Sequence, residues 1–228
     1  MKKVAFFVDG NFLFHQVKNF KSFFCDGPNI KAYCERHLRA DERIYRIFYY
    51  DAPPLEIIGK TPRGNDIDFG ASKQAESMKD RLDSIRKTPY MALRLGKVTW
   101  YNDWVLPKHI LQQLIDKKIS IDDVSDDLFK ANMHQKIVDM KIGLDISTVT
   151  YKKFADRIVL IAGDADFVPA AKLARMEGMH VTIDPMGKKL PADLIEHVDV
   201  VHSELDPNNP DDVPPTKKDF FVINPKDA

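Results

Sequence analysis

The chain has 228 residues, with 34 basic side chains balanced by 34 acidic ones and no net formal charge. That length suits one α/β domain with insertions, large enough for a core without covalent staples. The zero balance removes any generic electrostatic case for nucleic acid, although a local basic face can hide inside such a sum.

Hydrophobic content of 44% and charged content of 30% match a soluble globular protein. No apolar run approaches the roughly 18 residues that a membrane span needs. The short apolar run after Met1 is interrupted at Asp9 and lacks a cleavage site, which argues against a signal peptide. Cys25 and Cys34 are the only cysteines, and two thiols fit a reduced, cytoplasmic setting better than a disulfide framework.

In chain order, residues 3–8 predict a first strand: Val4 to Val8 is an unbroken apolar run, the pattern of a strand buried on both faces. Asn11 to about Phe24 carries Phe12, Leu13, Phe14, Val17, Phe20, Phe23 and Phe24 at helical spacing. Pro28 opens a short helix over Ile30 to Arg39. Arg43 to Tyr50, β-branched and aromatic, reads as the second strand, with Asp51 just beyond it.

The middle of the chain is less regular. Residues 55–69 hold Gly59, Pro62, Gly64 and Asn65 and read as a loop. Gly70 to Lys87 reads as a charged helix. Tyr90 to Tyr101 is strand-like, with Gly96 as a bulge or a break between two strands. Val105 to Lys118 reads as helical, and Asp122, Asp123, Asp126 and Asp127 as an acidic surface. Gln135 to Ala155 predicts one long helix. On it, at about 100° per residue, Asp139 and Asp145 lie about 120° apart, bordering an apolar stripe of Ile142, Ile146 and Val149. A charge at the margin of a buried stripe is costly unless it has a use or a partner such as Lys141. Lys136 lies one predicted turn before Asp139.

Arg157 to Ile161 is a second buried-strand run. Gly163 ends it and Asp164-Ala165-Asp166 follows, before a helix from Phe167 to Glu177. Strands follow at Met179–Ile183 and Val198–Val201, with Lys188 and Lys189 between them. From Asp206 the chain turns Pro- and Asp-rich and reads as a tail. There, Phe220 to Ile223 reads as an edge strand or a partner-binding segment.

Asp9 and Asp164 therefore each sit where a buried strand gives way to a helix, the rim at which open α/β sheets bind ligands. Carboxylates gathered there repel unless a cation neutralises them. The plainer alternative is that both are ordinary helix N-caps. A third reading is an Asp-x-Asp phosphohydrolase. That motif should follow the first strand, and here it follows a late one.

Three segments, Phe7-Val8-Asp9-Gly10-Asn11, Lys136-Ile137-Val138-Asp139 through Asp145, and Ala162-Gly163-Asp164-Ala165-Asp166-Phe167, together resemble the NYN domain in its LabA-like branch, part of the PIN-like nuclease superfamily. The resemblance spans about residues 3–202, within a domain expected over 1–205 that has an enlarged middle around 51–130 and is followed by a separate tail at 206–228. It implies a three-layer, Rossmann-like α/β fold, with a mainly parallel central sheet and helices on both faces. It also implies metal-dependent cleavage of RNA, or less often single-stranded DNA, by Mg²⁺ or Mn²⁺. A homodimer is a further expectation. By motif position the metal-binding and catalytic set is Asp9, Asp139, Asp164 and Asp166, with Asp145 a weaker fifth. Asn11 and Lys136 are the implied substrate contacts. Two positions depart from the family pattern: Phe12 stands where the family has Asn, and Ala162 where it often has Ser. The alternative reading is a regulator of the same fold that binds RNA or a protein without cutting.

Overall fold

The computed structural model describes residues 1–17 and 25–205. The chain begins with β1 (Lys2–Asp9), α1 (Gly10–Val17), α2 (Gly27–Arg36) and β2 (Glu42–Asp51). The middle contributes β3 (Ile58–Lys60), β4 (Asp66–Asp68), α3 (Lys73–Lys87), β5 (Met91–Leu95), β6 (Lys97–Val105), α4 (Lys108–Ile115) and β7 (Lys130–Lys136). Then come α5 (Val138–Tyr151), β8 (Arg157–Ile161), α6 (Val168–Met176), β9 (His180–Asp184), α7 (Ala192–Glu196) and β10 (Val200–Val201). These elements form two compact units. One holds residues 1–51, 80–96 and 137 onward; the other holds Ala52–Lys79 and Lys97–Lys136. Helix α3 runs from the second into the first.

In the first unit, the described strands form one sheet in the order β10-β9-β8-β1-β2-β5, every pairing parallel. The unbroken apolar run of β1 has a direct cause: Val4 through Val8 are all fully buried, with alternate residues serving opposite faces. Ala5 and Phe7 pack with α5 and α6 through Ile142, Ile146, Val149, Ala171 and Ala174. Val4, Phe6 and Val8 pack with α1, α2 and α3 through Leu13, Val17, Ile30, Tyr33 and Ile85. The result is the three-layer Rossmann-like arrangement, helices on both faces of a parallel sheet.

At the other end of the strands, Arg157 opens β8 and places its guanidinium on the Glu42 carboxylate in two contacts of 2.6 and 2.9 Å, both side chains almost wholly buried. Arg157 also donates to the His37 carbonyl at 2.7 Å and to Thr182 at 3.2 Å.

The second unit is built on two small antiparallel pairings, β3 with β4 and β6 with β7. Its interior is aromatic: Phe69 lies 4.8 Å from Trp100 and 6.0 Å from Trp104, ring centre to ring centre. Trp104 also donates its indole N–H to the Lys60 carbonyl at 3.0 Å. The acidic stretch is a tie rather than a bare surface. Asp126 accepts from the Thr61 hydroxyl at 2.6 Å, the Asn65 amide at 2.7 Å and the Arg63 backbone N–H at 3.0 Å.

Several expectations change. The 55–69 loop contains β3 and β4, closed by a turn in which the Gly64 N–H donates to the Thr61 carbonyl. The early helix begins at Gly27 because Asp26 caps it, accepting from the Asn29 N–H at 3.0 Å. Gly96 separates β5 and β6, which belong to different sheets. Val105 ends β6 instead of opening a helix. The long helix expected from Gln135 starts only at Val138, and residues 130–136 are a strand. The first predicted helix is described to Val17; its remainder, and the tail with Phe220 to Ile223, lie outside the described residues.

Candidate active site

The sheet reverses its winding between β1 and β8. From β1 the chain adds strands on one side, and from β8 on the other. Val8 pairs with Ile161, so Asp9 and Asp164 leave neighbouring strands at the carboxyl edge, the position where this class of sheet opens a crevice. Gly10 follows Asp9 for a steric reason. A Cβ there would lie 2.6 Å from the Tyr49 ring and from the Tyr50 carbonyl, so only glycine lets α1 start against β2.

Asp9 is half-buried, and its Oδ1 accepts the Phe12 N–H at 3.1 Å, so it does cap α1. Capping does not account for its charge state. Burial pushes its pKa up to about 6; the charges of Asp139 and Asp51 add to the rise, and the Phe12 and Asn11 amides oppose it.

Asp164 is exposed and caps the short 3₁₀ turn Ala165–Phe167, its Oδ1 accepting the Asp166 N–H at 3.2 Å. Phe167, almost wholly buried, anchors that turn, which leaves Asp166 exposed beside Asp164. Asp139 lies in the first turn of α5. Its pKa is raised, first by burial and then by the charges of Asp166 and Asp164. Thus Asp139 is electrostatically linked both to Asp9 and to the Asp164–Asp166 pair. Ile137 makes the turn into α5 with φ 76°, a left-handed conformation strained for a β-branched residue. That bend sets where Asp139 begins the helix.

Among the described residues, no three His, Cys, Asp or Glu side chains are already gathered closely enough to enclose an ion. The donor chemistry nevertheless fits Mg²⁺ or Mn²⁺. The four carboxylates are hard oxygen ligands, and Mg²⁺ is ordinarily held by one or two carboxylates, with waters and substrate phosphates completing its shell. Burial is the first cause of the raised pKa values of Asp9 and Asp139, and the charges of neighbouring carboxylates add to it, the direction that a bound cation would reverse.

The remaining acidic candidates go elsewhere. Asp145 gives one oxygen to the Tyr50 hydroxyl at 2.8 Å and to Arg94 Nε at 3.0 Å. This ion pair engages the carboxylate that the resemblance offered as a weaker fifth ligand. The alternative partner Lys141 instead donates to the Leu95 carbonyl. Asp51, buried at the end of β2, meets Arg81 at 3.2 Å. Asp184, wholly buried at the end of β9, accepts from the Tyr33 hydroxyl and the Met186 N–H; His37 Nε2 lies 2.9 Å away, off hydrogen-bond alignment. Lys136 is not one helical turn from Asp139. It ends β7, where its ammonium donates to the Tyr101 hydroxyl at 2.8 Å. Asn11 is exposed two residues beyond Asp9.

Sequence reasoning misses one residue at this rim. The exposed Lys188 extends over Phe12, its ammonium 5.7 Å from the ring centre. Its methylenes line the backbone of Gly163, where an added Cβ would come within 3.2 Å of Lys188 and 2.7 Å of the Phe12 ring. The Phe12 departure thus brings a cation to the residue preceding Asp164. The only trace in sequence is a lysine pair shortly after a buried strand.

No curated protein is significantly similar to the chain. A crystal structure of a protein of unknown function from Vibrio parahaemolyticus is similar in fold, with a TM-score of 0.50 at 15% identity, over 90% of this chain and 94% of that one. No helix among the described residues is long and apolar enough to cross a membrane. The NYN domain matches residues 3–205. By that match, and by the parallel sheet that carries Asp9 and Asp164 on adjacent strands, the chain belongs to the NYN domain family of the PIN-like nuclease superfamily.

Proposed function

We propose that this protein is a divalent-metal-dependent ribonuclease of the LabA-like branch, acting on RNA in the cytoplasm. The observation that carries this reading is the electrostatic convergence of Asp9, Asp139, Asp164 and Asp166 at the switch point of the sheet. Asp9, Asp139 and the Asp164–Asp166 pair are the residues that would hold Mg²⁺ or Mn²⁺. When bound, such an ion supplies a water of lowered pKa and positive charge for the phosphate.

The chain's own groups orient the rest. The Phe12 N–H holds the Asp9 carboxylate in place, and the Asp166 N–H does the same for Asp164. Lys188 offers an ammonium with no ion-pair partner among the described residues, free to meet a substrate phosphate. Asn11 offers an exposed amide beside Asp9.

The test is cleavage of a single-stranded RNA in Mn²⁺ by the wild type and by Asp164→Asn, with circular dichroism to verify folding. The expected result is cleavage abolished in a folded variant. Equal cleavage by both removes the site assignment.

A second reading has its own observation. The Phe12 ring, nearly buried against Gly163, puts an apolar group where the family has a polar one. That favours a regulator that binds RNA without cutting it, for which binding would be insensitive to EDTA and no product would form in Mn²⁺.

A further inference from the structure

The second unit contains a two-stranded ribbon whose faces differ sharply. Trp100 and Trp104 of β6 turn inward, 5.6 Å apart, onto Phe69. Side chains alternate across a strand, so Lys97, Thr99 and Tyr101, on the other side from Val98 and Trp100, face outward; the register shift falls between Trp100 and Trp104. In register, Lys97 lies opposite Lys136 and Thr99 opposite His134. Tyr101 continues this row, 67% exposed, with its ring 6.4 Å from that of His134 and the Lys136 ammonium on its hydroxyl.

Two features set this face apart from an ordinary solvated ribbon. Like charges directly opposite on a ribbon are destabilising, yet Lys97 and Lys136 form such a pair, and neither has a carboxylate partner among the described residues. The two strands together carry Lys97, Lys130 and Lys136 against a single acid, Asp103, whose carboxylate accepts from the Asn132 amide at 2.7 Å. Beside the lysines a tyrosine ring stands in solvent instead of joining the aromatic interior a few residues away. The Lys136 ammonium lies 5.2 Å from the centre of that ring, and hydrogen bonds from Lys136 and Thr99, with the charges of Lys136 and Lys97, lower the pKa of the tyrosine.

We infer that the outer face of the β6–β7 ribbon, through Lys97, Thr99, Tyr101, His134 and Lys136, binds single-stranded RNA, the rings stacking on bases and the lysines meeting phosphates. Successive positions on one face of a strand are about 6.6 Å apart, so the row follows an extended backbone. An exposed ring with flanking cations is the composition by which proteins hold unpaired nucleic acid with little sequence preference. The inference rests on the ribonuclease reading only for the choice of RNA as the ligand.

The experiment is fluorescence anisotropy of a labelled 12-nucleotide oligouridylate with the full chain, in EDTA across a salt series. Tyr101→Ala should weaken binding roughly 5- to 150-fold, while Tyr101→Phe, which keeps the ring, should bind far more tightly than Tyr101→Ala. The double variant Lys97→Gln/Lys136→Gln should flatten the plot of log affinity against log salt by about 1.4, the share of two phosphates on a single strand. Near-UV circular dichroism of Trp100 and Trp104 reports whether the unit remains folded. Wild-type affinity and slope in folded Tyr101→Ala and in the double lysine variant overturn the inference; so does equal competition by an RNA duplex of the same length. Binding in EDTA is read apart from cleavage. The ribbon's affinity for RNA can therefore be measured even in a protein that never cuts it, and a ribbon without effect leaves the Asp164 assay standing.

Discussion

The charge of Asp139 opposes ionisation of Asp9, although one side chain caps the first helix and the other lies in the first turn of a helix about 130 residues further along the chain. Only the fold makes them neighbours, and the rim they share has measurable consequences.

The first concerns pH. An aspartate in the unfolded chain titrates near 3.9, whereas folded Asp9 does so at about 6. The folded state therefore binds this proton more tightly. The resulting stabilisation is fully present below about pH 4 and is lost as pH rises through 6. In EDTA, urea unfolding should show this group costing about 2 kcal/mol at pH 8 relative to pH 4. Asp9→Asn, which keeps an oxygen for the Phe12 N–H, should lose that part of the pH dependence and be the more stable protein at pH 8. An unchanged pH profile in the variant would refute the assignment.

The second separates ligand from tie. Mn²⁺ at about a hundred times its dissociation constant should stabilise the wild type by about 2.7 kcal/mol. Asp139→Asn should lose most of that gain. Asp145→Asn should keep it, yet start from a fold weakened by about 1–3 kcal/mol, because Arg94 and Tyr50 lose a charged acceptor. Thermal melts with and without Mn²⁺ distinguish the two, and the opposite pattern would put Asp145 in the site.

Gly163 is the third test. A methyl group there meets the Phe12 ring at 2.7 Å. Gly163→Ala should cost about 1–3 kcal/mol through overpacking. Adding Phe12→Leu should recover part of the loss in the same denaturation assay, and no recovery would mean that the strain lies elsewhere.

The fourth lies at the opposite edge of the sheet. The Glu42–Arg157 pair is buried and doubly bonded. Arg157→Met alone should destabilise by about 3–5 kcal/mol, because it leaves a buried carboxylate unpaired. Combining it with Glu42→Leu should restore most of that loss. A double variant no better than the single one would show that the Arg157 contacts to His37 and Thr182 matter more.

Much of this architecture could be read along the chain. Val4 to Val8 and Arg157 to Ile161 are apolar without a break because each strand is covered on both faces, so the local pattern reports the parallel sheet directly. The aspartates that end those runs mark the carboxyl edge by position alone. What the tertiary structure decided is which charges meet. Periodicity gives Asp145 a place at the edge of a buried stripe but cannot name Arg94 and Tyr50, which arrive from other strands. The left-handed bend at Ile137 cannot be read from apolar spacing, so Lys136 moved from a predicted helix onto a strand that faces Tyr101. Lys188 reaches the rim only because β9 pairs beside β8 and the turn after it folds back over Phe12. Local sequence specifies which face of an element is buried; long-range pairing of strands, which no local pattern encodes, specifies what each buried or rim-facing group touches.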